Sequence, residues 1–582
     1  WIAYRNLRLN NKKRYMASAG LSYQILDWLN VAGRVRIDNT HSEYEGKLYA
    51  SSSNTLTDGS SQGHYTVNNG QYSQTYADVL VNINKRIQDF TIVANNGASY
   101  SGVTSKELGY AGPIRETGIP NLFNVYDLDN AKKRATQVGW REATESIFAS
   151  AEVGWKSMLY LTVTGSNDWA SQLTHSPQAS FFYPSVGLSA VITEILKLPD
   201  WVDYLKVRGS FSSVGNPYPR FLTYPTYSYD ANKQDWKSQT NYPIGKLYPE
   251  RTDSWEVGLD ATLFKDFKLS GSFYYANTYN QTFDPRLPVS SGYDKLYVQT
   301  GYVRNYGFEA MLSYGHRWGD FGWDSSFTFS ANKNEIVELV KDYVHPETGK
   351  TYNVDKLELK TDEGRGFGKA KFILKEGGTL GDLYTHADLK RDINGNILID
   401  DSGNVTAIDN AGDIKLGSVL PKANLAWNNS FSYKGINAGF LLTARLGGIV
   451  YSATQAYLDL YGVSETSAAA RDAGGVWING RSRVNPQSFY EVVASQSGLP
   501  TYYTYSATNL RLQEAHIGYT VPRRWLGNVC DINVSLVGRN LWMIYCKAPF
   551  DPEAVATTNN YYQGIDYFMM PSTRNIGFNI KI

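Results

Sequence analysis

The chain has 582 residues, with 56 basic against 55 acidic side chains, 14% aromatic residues and two cysteines. A net charge of +1 provides no global field that would attract nucleic acid. No run of about 18 apolar residues is present that could span a bilayer as a helix. With 42% hydrophobic residues, the composition excludes a disordered chain, a nucleic-acid-binding protein and an α-helical membrane protein.

Alternation of apolar and polar residues predicts β-strands along the whole chain. In the segment 423–433, Leu425 and Trp427 fall on one face of a strand, and Asn428 and Ser430 on the other. In chain order we predict eight hairpins, at 14–44, 73–101, 144–168, 180–214, 252–280, 302–333, 421–447 and 508–544. A last strand follows at 574–582, which gives seventeen strands.

The connections alternate between short turns and long polar loops. Six turns are tight, and the predicted loops lie at 45–72, 102–143, 215–251, 281–301, 334–420, 448–507 and 545–573. Strands of 10 to 14 residues exceed the usual length of about five or six in soluble proteins. Short turns on one side and long loops on the other are typical of a transmembrane barrel. We therefore predict an all-β fold, a transmembrane antiparallel up-and-down β-barrel.

Aromatic residues cluster at the predicted short turns. They either fill a core or form the interfacial girdle of a membrane barrel, where amphipathic rings lie at headgroup level. The residues concerned are Trp28, Phe90, Trp155, Trp201, Phe264, Phe267, Trp318, Phe321, Tyr433 and Trp525.

Several short motifs, in order over most of the chain, resemble those of the SusC/RagA-like TonB-dependent outer-membrane transporters of Bacteroidetes. The resemblance implies a barrel of about 22 strands preceded by a plug domain. We expect residues 1–582 to be its C-terminal portion, without the plug and the first strands. The motifs are Tyr183-Pro184-Ser185-Val186-Gly187, Leu205-Lys206-Val207-Arg208-Gly209, Pro249-Glu250-Arg251-Thr252, Asn305 with Gly307 and Glu309, Gly518-Tyr519-Thr520-Val521-Pro522, and Asp551-Pro552-Glu553.

The same resemblance implies import of oligosaccharides, a transport function without catalytic residues. The implied partners are a SusD-like surface lipoprotein, outer-membrane lipid, and the TonB–ExbB–ExbD complex, which the missing N-terminal part would contact. The terminal Ile582 departs from the phenylalanine that usually ends such barrels.

Aromatic residues of the C-terminal loops are the candidates for substrate contact. Flat rings suit the apolar faces of sugars, although each ring could instead pack against another loop or a partner. The candidates are Trp477, Tyr502, Tyr503, Tyr505, Tyr561, Tyr562, Tyr567 and Phe568.

Asp392, Asn394 and Asn396 resemble the start of a calcium loop, in which oxygen ligands recur at positions one, three and five. Ile397 stands where such a loop has glycine, and Gly403 where it has glutamate. An Asn-Gly turn is the alternative, and no other cofactor is expected.

Two alternatives to glycan import remain open. The barrel could import peptides, a siderophore or cobalamin. The strands could also form a soluble extracellular all-β protein that binds or cleaves glycans, because a sandwich shows the same alternation.

Overall fold

The computed structural model describes residues 2–222, 228–230, 235–237, 247–283, 292–293, 297–344, 349, 351–359, 368–556 and 563–581. The chain divides into two compact units. The first comprises Trp1–Leu188, Ser212–Arg251 and Leu287–Tyr297, and the second Ser189–Phe211, Thr252–Arg286 and Val298–Ile582.

The first unit is an antiparallel series of long strands. Each strand pairs with the next in sequence, as in the contact of Leu29–Tyr49 with Gly63–Ile87, where Arg34 lies opposite Asp78. A helix precedes the first strand at Ile2–Arg5, and 3₁₀ turns lie at Val125–Asp127 and Ser171–Leu173. The strands are Asn6–Leu26, Leu29–Tyr49, Gly63–Ile87, Phe90–Pro113, Arg134–Trp155 and Leu159–Ala170; Ser180–Val191 and Val202–Asn216 are divided between the units.

The second unit continues with the same antiparallel pairing of sequence neighbours. A four-residue helix lies at Ile192–Ile195, before the strand Val202–Asn216. The long strands of this unit are Glu250–Leu263, Phe267–Phe283, Val298–Trp318, Phe321–Glu338, Ala423–Tyr433, Ile436–Leu446, Asn509–Val521, Ile532–Cys546 and Asn575–Lys581.

These strands confirm the predicted fold. Among the described residues, seventeen long strands belong to the main sheet, the number predicted from the alternation. The predicted turns are also present, for example between Trp318 and Phe321 and between Tyr433 and Ile436. All eight predicted hairpins therefore exist.

Two predicted loops are wrong in their extent. The loop at 45–72 is only the segment between Tyr49 and Gly63, and the loop at 102–143 only that between Pro113 and Arg134. The ladder hydrogen bonds continue past the point where apolar residues cease to alternate with polar ones. Around Asn68, polar side chains lie on both faces of the strand. This part of the strand therefore shows no alternation of apolar and polar residues.

The long loops contain most of the remaining secondary structure. Short strands lie at Ser228–Asp230, Asp235–Lys237, Val340–Val344, Thr351–Val354, Lys356–Leu359, Ala370–Lys375, Asp382–Thr385, Asp388–Leu389, Ala407–Ile408, Ile414–Ser418, Ile449–Ser452, Val476–Ile478, Ser482–Val484, Thr504–Ser506 and Ile565–Asp566. Helices lie at Ala453–Leu460, Glu465–Asp472, Pro486–Val493 and Pro500–Tyr503, and 3₁₀ turns at Ser495–Ser497 and Arg523–Leu526. In the ranges described, every helix is too short or too polar to span a bilayer.

The strands expose their apolar side chains. Leu21 is 79% exposed and Phe578 77%, and Val257 and Ile517 are more than half exposed. The opposite face is polar and carries cross-strand ion pairs such as Arg34–Asp78, at 2.8 Å. A soluble sandwich would bury the apolar face, so this face requires an apolar environment outside the protein.

Nine of the ten turn aromatics are exposed as well, and Trp28 is half-buried, which favours the girdle over a core. Trp201 stacks on Phe264 with 5.4 Å between ring centroids, and Trp318 on Phe321 at 5.9 Å. All four side chains remain exposed to the surroundings. Their place beside the short turns is that expected of rings at a membrane–water interface.

Candidate functional site

The long loops of the second unit fold around a buried core of their own. Phe372, Leu383, Tyr451 and Ile565 are fully buried and belong to one hydrophobic cluster. These residues come from three different loops. The loops therefore form an ordered body that holds the exposed side chains of this region in fixed positions.

A buried carboxylate connects two elements of this body. Asp459, in the helix Ala453–Leu460, accepts a hydrogen bond of 3.0 Å from the Tyr503 hydroxyl and one of 3.1 Å from Gln455 Nε2. Ser464 Oγ donates to the same carboxylate. Burial and then the charge of Asp459 raise the pKa of Tyr503. Tyr503, predicted to contact substrate, is only 2% exposed and lies in the core.

Two of the predicted residues meet a third aromatic side chain that the sequence did not single out. Phe568 lies 5.2 Å from Tyr567 and 5.3 Å from Tyr457, between ring centroids. The Phe568 backbone N–H donates to Thr454 Oγ1 at 2.6 Å, which fixes the loop on the helix. Phe568 is 56% exposed, and the other two rings are half-buried. We call Tyr457, Tyr567 and Phe568 the aromatic platform.

Each of the remaining predicted aromatics that the structure describes contacts a side chain outside the predicted set. Trp477 is 55% exposed, and the Arg483 guanidinium lies 4.4 Å from its ring centroid, over one face. Tyr502 packs edge-on against Phe489, and Tyr505 against Phe550. Burial raises the pKa of both tyrosines. Tyr561 and Tyr562 lie outside the described residues.

Asp392 forms the Asn-Gly turn that was the alternative to a calcium loop. Its Oδ1 accepts from the backbone N–H groups of Asn394 and Asn396, each at 2.8 Å. Its Oδ2 accepts from Asn396 Nδ2 at 3.0 Å, and these bonds lower the pKa of Asp392. Asp400 repeats the same backbone pattern eight residues later. In the described ranges, no group of three His, Cys, Asp or Glu side chains could hold a metal ion.

A polar cavity of about 610 Å³ lies on the polar face of the strands in the second unit. Its charged lining residues are Arg208, Glu309, Arg445 and Glu553, beside hydroxyl groups such as that of Ser270. Both signs of charge with hydroxyl donors suit a polar solute. The sequence pattern indicated the polar face but not the cavity, because its lining comes from seven separate segments.

These features define the class of protein. Long antiparallel strands with an exposed apolar face, a polar opposite face, short aromatic-rich turns and long folded loops are those of an outer-membrane β-barrel. A family described as "TonB dependent receptor-like, beta-barrel" matches residues 1–541. The chain belongs to this family.

Individual relatives agree with this assignment. TonB-dependent receptor P3 of Formosa agariphila is 23% identical over 548 residues, which cover 88% of this chain and 52% of the relative. TonB-dependent receptor SusC of Bacteroides thetaiotaomicron is 24% identical over 433 residues, covering 68% of this chain and 40% of the relative. The chain thus spans about half the length of the curated relatives it matches.

The fold is also similar to a solved structure, that of the RagAB peptide importer in the "open-open" state. The TM-score is 0.75 at 16% identity, with 98% of this chain and 61% of that chain covered. The predicted membership of the TonB-dependent receptor family is confirmed, and SusC is among the relatives. Members are outer-membrane proteins and not enzymes, which excludes the soluble alternative. That residues 1–582 form the C-terminal portion of a larger barrel stays a prediction.

Proposed function

We propose that the full-length protein imports oligosaccharides across the outer membrane, with energy from the TonB–ExbB–ExbD complex and with a SusD-like lipoprotein over the extracellular loops. The aromatic platform carries the proposal for the substrate. In barrels of this kind the long loops face the outside, and this supports a ligand-contact role for Tyr457, Tyr567 and Phe568.

The chemistry of the platform suits a sugar. Adjacent flat rings offer apolar faces to the axial C–H groups of a pyranose, and the two tyrosine hydroxyls can donate to and accept from its hydroxyl groups. The rings are held by the Phe568–Thr454 hydrogen bond and by the core beneath the helix. A preformed site loses less conformational entropy on binding than a mobile one.

The polar cavity extends the proposal to the transport step. Sugar hydroxyl groups that leave water need replacement hydrogen bonds, and the lining provides carboxylate acceptors, guanidinium donors and hydroxyls. These residues would bind and orient the solute without making or breaking a covalent bond. Work from TonB would then drive the conformational change that moves the solute.

Growth and uptake test the transport claim. A strain that lacks the full-length gene should fail to grow on, and to take up, at least one oligosaccharide, and the restored gene should correct both defects. Unchanged growth and uptake on every glycan offered would contradict the proposal. If the strain instead loses only the uptake of peptides, of a siderophore or of cobalamin, that compound is the imported substrate in place of a glycan. RagAB, described as a peptide importer, makes peptides the first of these to try.

Platform variants test the contact residues. Phe568→Ala and Tyr457→Ala should each weaken binding of the imported oligosaccharide by about tenfold, because stacking on an aromatic ring contributes roughly 1 kcal/mol or more. Tyr126→Ala is the matched control, since Tyr126 is a loop tyrosine of the first unit with 94% exposure. Equal losses in the control and the platform variants, measured by calorimetry on the purified full-length protein, would remove the platform from the site.

A further inference from the structure

An apolar groove of about 570 Å³ crosses the exposed face of the first unit. It is open along its length, and its floor consists of three small residues on this face of the sheet. Larger side chains form its walls and remain exposed. The floor is Gly33, Ala77 and Ala98, and the walls include Val35, Val79, Tyr100, Ile147 and Trp169.

Strand register creates the groove. One row across four neighbouring strands consists, in order, of Gly33, Val79, Ala98 and Ile147. In the next row, Ala77 lies opposite Tyr100. Small and large residues thus alternate across the sheet in both rows, and the small ones follow a zigzag from Gly33 to Ala77 in the next row and back to Ala98. A shallow channel across three neighbouring strands results, because cross-strand neighbours are about 5 Å apart.

The groove ends at the level where a bilayer becomes polar. Trp155 marks the short turns, and Glu145, opposite Tyr100 and Trp169, lies ten residues further along the same strand. About 9 to 11 residues of a tilted strand cross the hydrocarbon layer. Tyr100 and Trp169 therefore lie at the second interface, and Glu145 marks the start of the headgroup region.

Two cations lie beyond this level on the same face. Arg141 is four residues past Glu145, about 13 Å along the strand, and Lys106 is on the adjacent strand. Thr104 lies opposite Arg141 and Lys106 opposite Gly139, so the two cations are diagonal neighbours. Both are exposed, and in the part of the chain described here neither forms an ion pair.

We propose that the groove holds an acyl chain of an outer-membrane lipid whose phosphorylated headgroup lies against Lys106 and Arg141. The occupant follows from the location, since an apolar groove on a membrane-facing surface has only lipid chains beside it. The headgroup follows from the charges, since two adjacent cations without carboxylate partners complement a phosphate. Burial of the chain in the groove and the ionic contact would retain this lipid over its neighbours.

Filling the groove tests the chain-binding part. A Cβ at Gly33 would meet nothing closer than 3.8 Å, the Asp78 carbonyl oxygen, so the backbone there has room for a Cβ, and Gly33→Leu would add a side chain to the groove floor. Gly209→Leu is the matched control, because a Cβ there also meets only a neighbouring-strand carbonyl, at 3.8 Å. Gly209 shares its face with Phe211, which packs on the exposed Trp255, and it lies outside the groove.

The full-length protein, extracted in mild detergent, would be examined by native mass spectrometry for bound lipid. Gly33→Leu should lose most of the bound lipid, and Gly209→Leu should keep it. Ala98→Phe is a second filling variant, and unchanged migration before boiling shows that each variant is folded. Full retention in both filling variants, or an equal loss in the control, would overturn the proposal.

The headgroup is tested by adding lipid back to delipidated protein. Lys106→Gln with Arg141→Gln should bind diphosphoryl lipid A about tenfold more weakly, because two charge-assisted contacts are lost. Binding of the dephosphorylated form should be unchanged by the same pair of substitutions. An equal effect on both forms, or none on either, would contradict the assigned headgroup contact.

Discussion

Arg511 and Asp551 form a two-point ion pair that joins a long strand to the last long loop. Arg511 Nη2 donates to Asp551 Oδ1 at 2.9 Å and Nη1 to Oδ2 at 3.2 Å, with side chains only 5% and 10% exposed. Burial raises the pKa of Asp551, but hydrogen bonds from Arg511 and the Glu553 backbone outweigh it and hold that pKa below its usual range. The pair anchors the loop that carries Phe568.

Asp551→Asn should loosen this loop. The substitution leaves the buried Arg511 charge without its main partner, which costs about 3 kcal/mol. Limited proteolysis within residues 545–573 of the full-length protein measures the loss. Asp531→Asn is the control, since its pair with Arg523 is largely exposed and contributes less than about 1 kcal/mol. Similar cleavage rates in both variants would contradict the anchoring role.

The same pair gives the loop a pH dependence of known sign. Because the pKa of Asp551 is lowered in the folded protein, its contribution to stability is present above the ordinary aspartate pKa of about 4. That contribution is lost as the pH falls through the lowered value. Protection of the loop from proteolysis with pepsin should therefore decline below about pH 4 in the wild type and change less in Asp551→Asn.

Tyr503→Phe should destabilise the loop body by about 1–3 kcal/mol, because it leaves an oxygen of the buried Asp459 without its donor. Hydrogen exchange of the helix Ala453–Leu460 measures the change. Tyr567→Phe, at a half-buried ring of the platform, is the control and should have little effect on exchange. If both variants exchange alike, the buried hydrogen bond contributes nothing specific.

Alkaline conditions should weaken the same contact. The pKa of Tyr503 is raised in the folded protein, so its stabilising contribution is complete below the ordinary tyrosine pKa of about 10. It is lost as the pH rises from there through the folded value. Exchange of this helix should accelerate above about pH 10 more in the wild type than in Tyr503→Phe, after correction for the intrinsic rate.

Asp413 joins two strands of the loop body through lysines. Lys356 Nζ lies 2.6 Å from Asp413 Oδ2 and Lys375 Nζ 3.1 Å, and hydrogen bonds from these two lysines lower the pKa of Asp413 to about 2. Asp413→Asn should cost about 1 kcal/mol, since solvent screens this partly exposed cluster. Thermal melts of the loop body at low and high salt should show the difference shrinking with salt. Asp409→Asn, on an exposed carboxylate, is the control.

Position 307 requires glycine because the side chain opposite it leaves no room for a Cβ. A Cβ at this position would collide with the Ala331 carbonyl oxygen and the hydroxyl of Tyr274, its cross-strand partner. Gly307→Val should reduce the folded fraction, by about 1–3 kcal/mol in stability. Gel migration before and after boiling measures that fraction. Gly271→Ala is the control, because its Cβ meets only ordinary contacts at 3.7 Å or more. Normal folding of both variants would refute the steric argument.

The strands were predictable because their signal is local. A strand alternates its side chains between two faces, so Leu425 and Trp427 identify a strand without any knowledge of its partners. The turns were predictable for the same reason, as with Lys434 and Gly435, which both adopt positive φ. Around Asn68 both faces of the strand are polar, so apolar and polar residues do not alternate. The ends of such strands could not be predicted for this reason.

The candidate site depends on contacts between distant residues, which the alternation of apolar and polar residues does not predict. Tyr502 and Tyr503 are neighbours in a tyrosine-rich loop, yet Tyr503 is 44 residues from the Asp459 that binds it in the core. Tyr457 belongs to the platform because its ring contacts Phe568, although the two residues are more than a hundred positions apart in the sequence. Composition indicates that a loop has rings to offer but not which rings remain exposed.

The sequence by itself determined the strand number, the order of turns and loops, and the family, because each follows from neighbouring residues or from ordered motifs. Only the tertiary structure decided which face of the strands is exposed, which loop aromatics form the platform and where the apolar groove lies. Those features arise from register between strands and from packing between distant loops. Strand register and loop packing both depend on which distant residues come together in space, and the spacing of residues along the chain does not specify this.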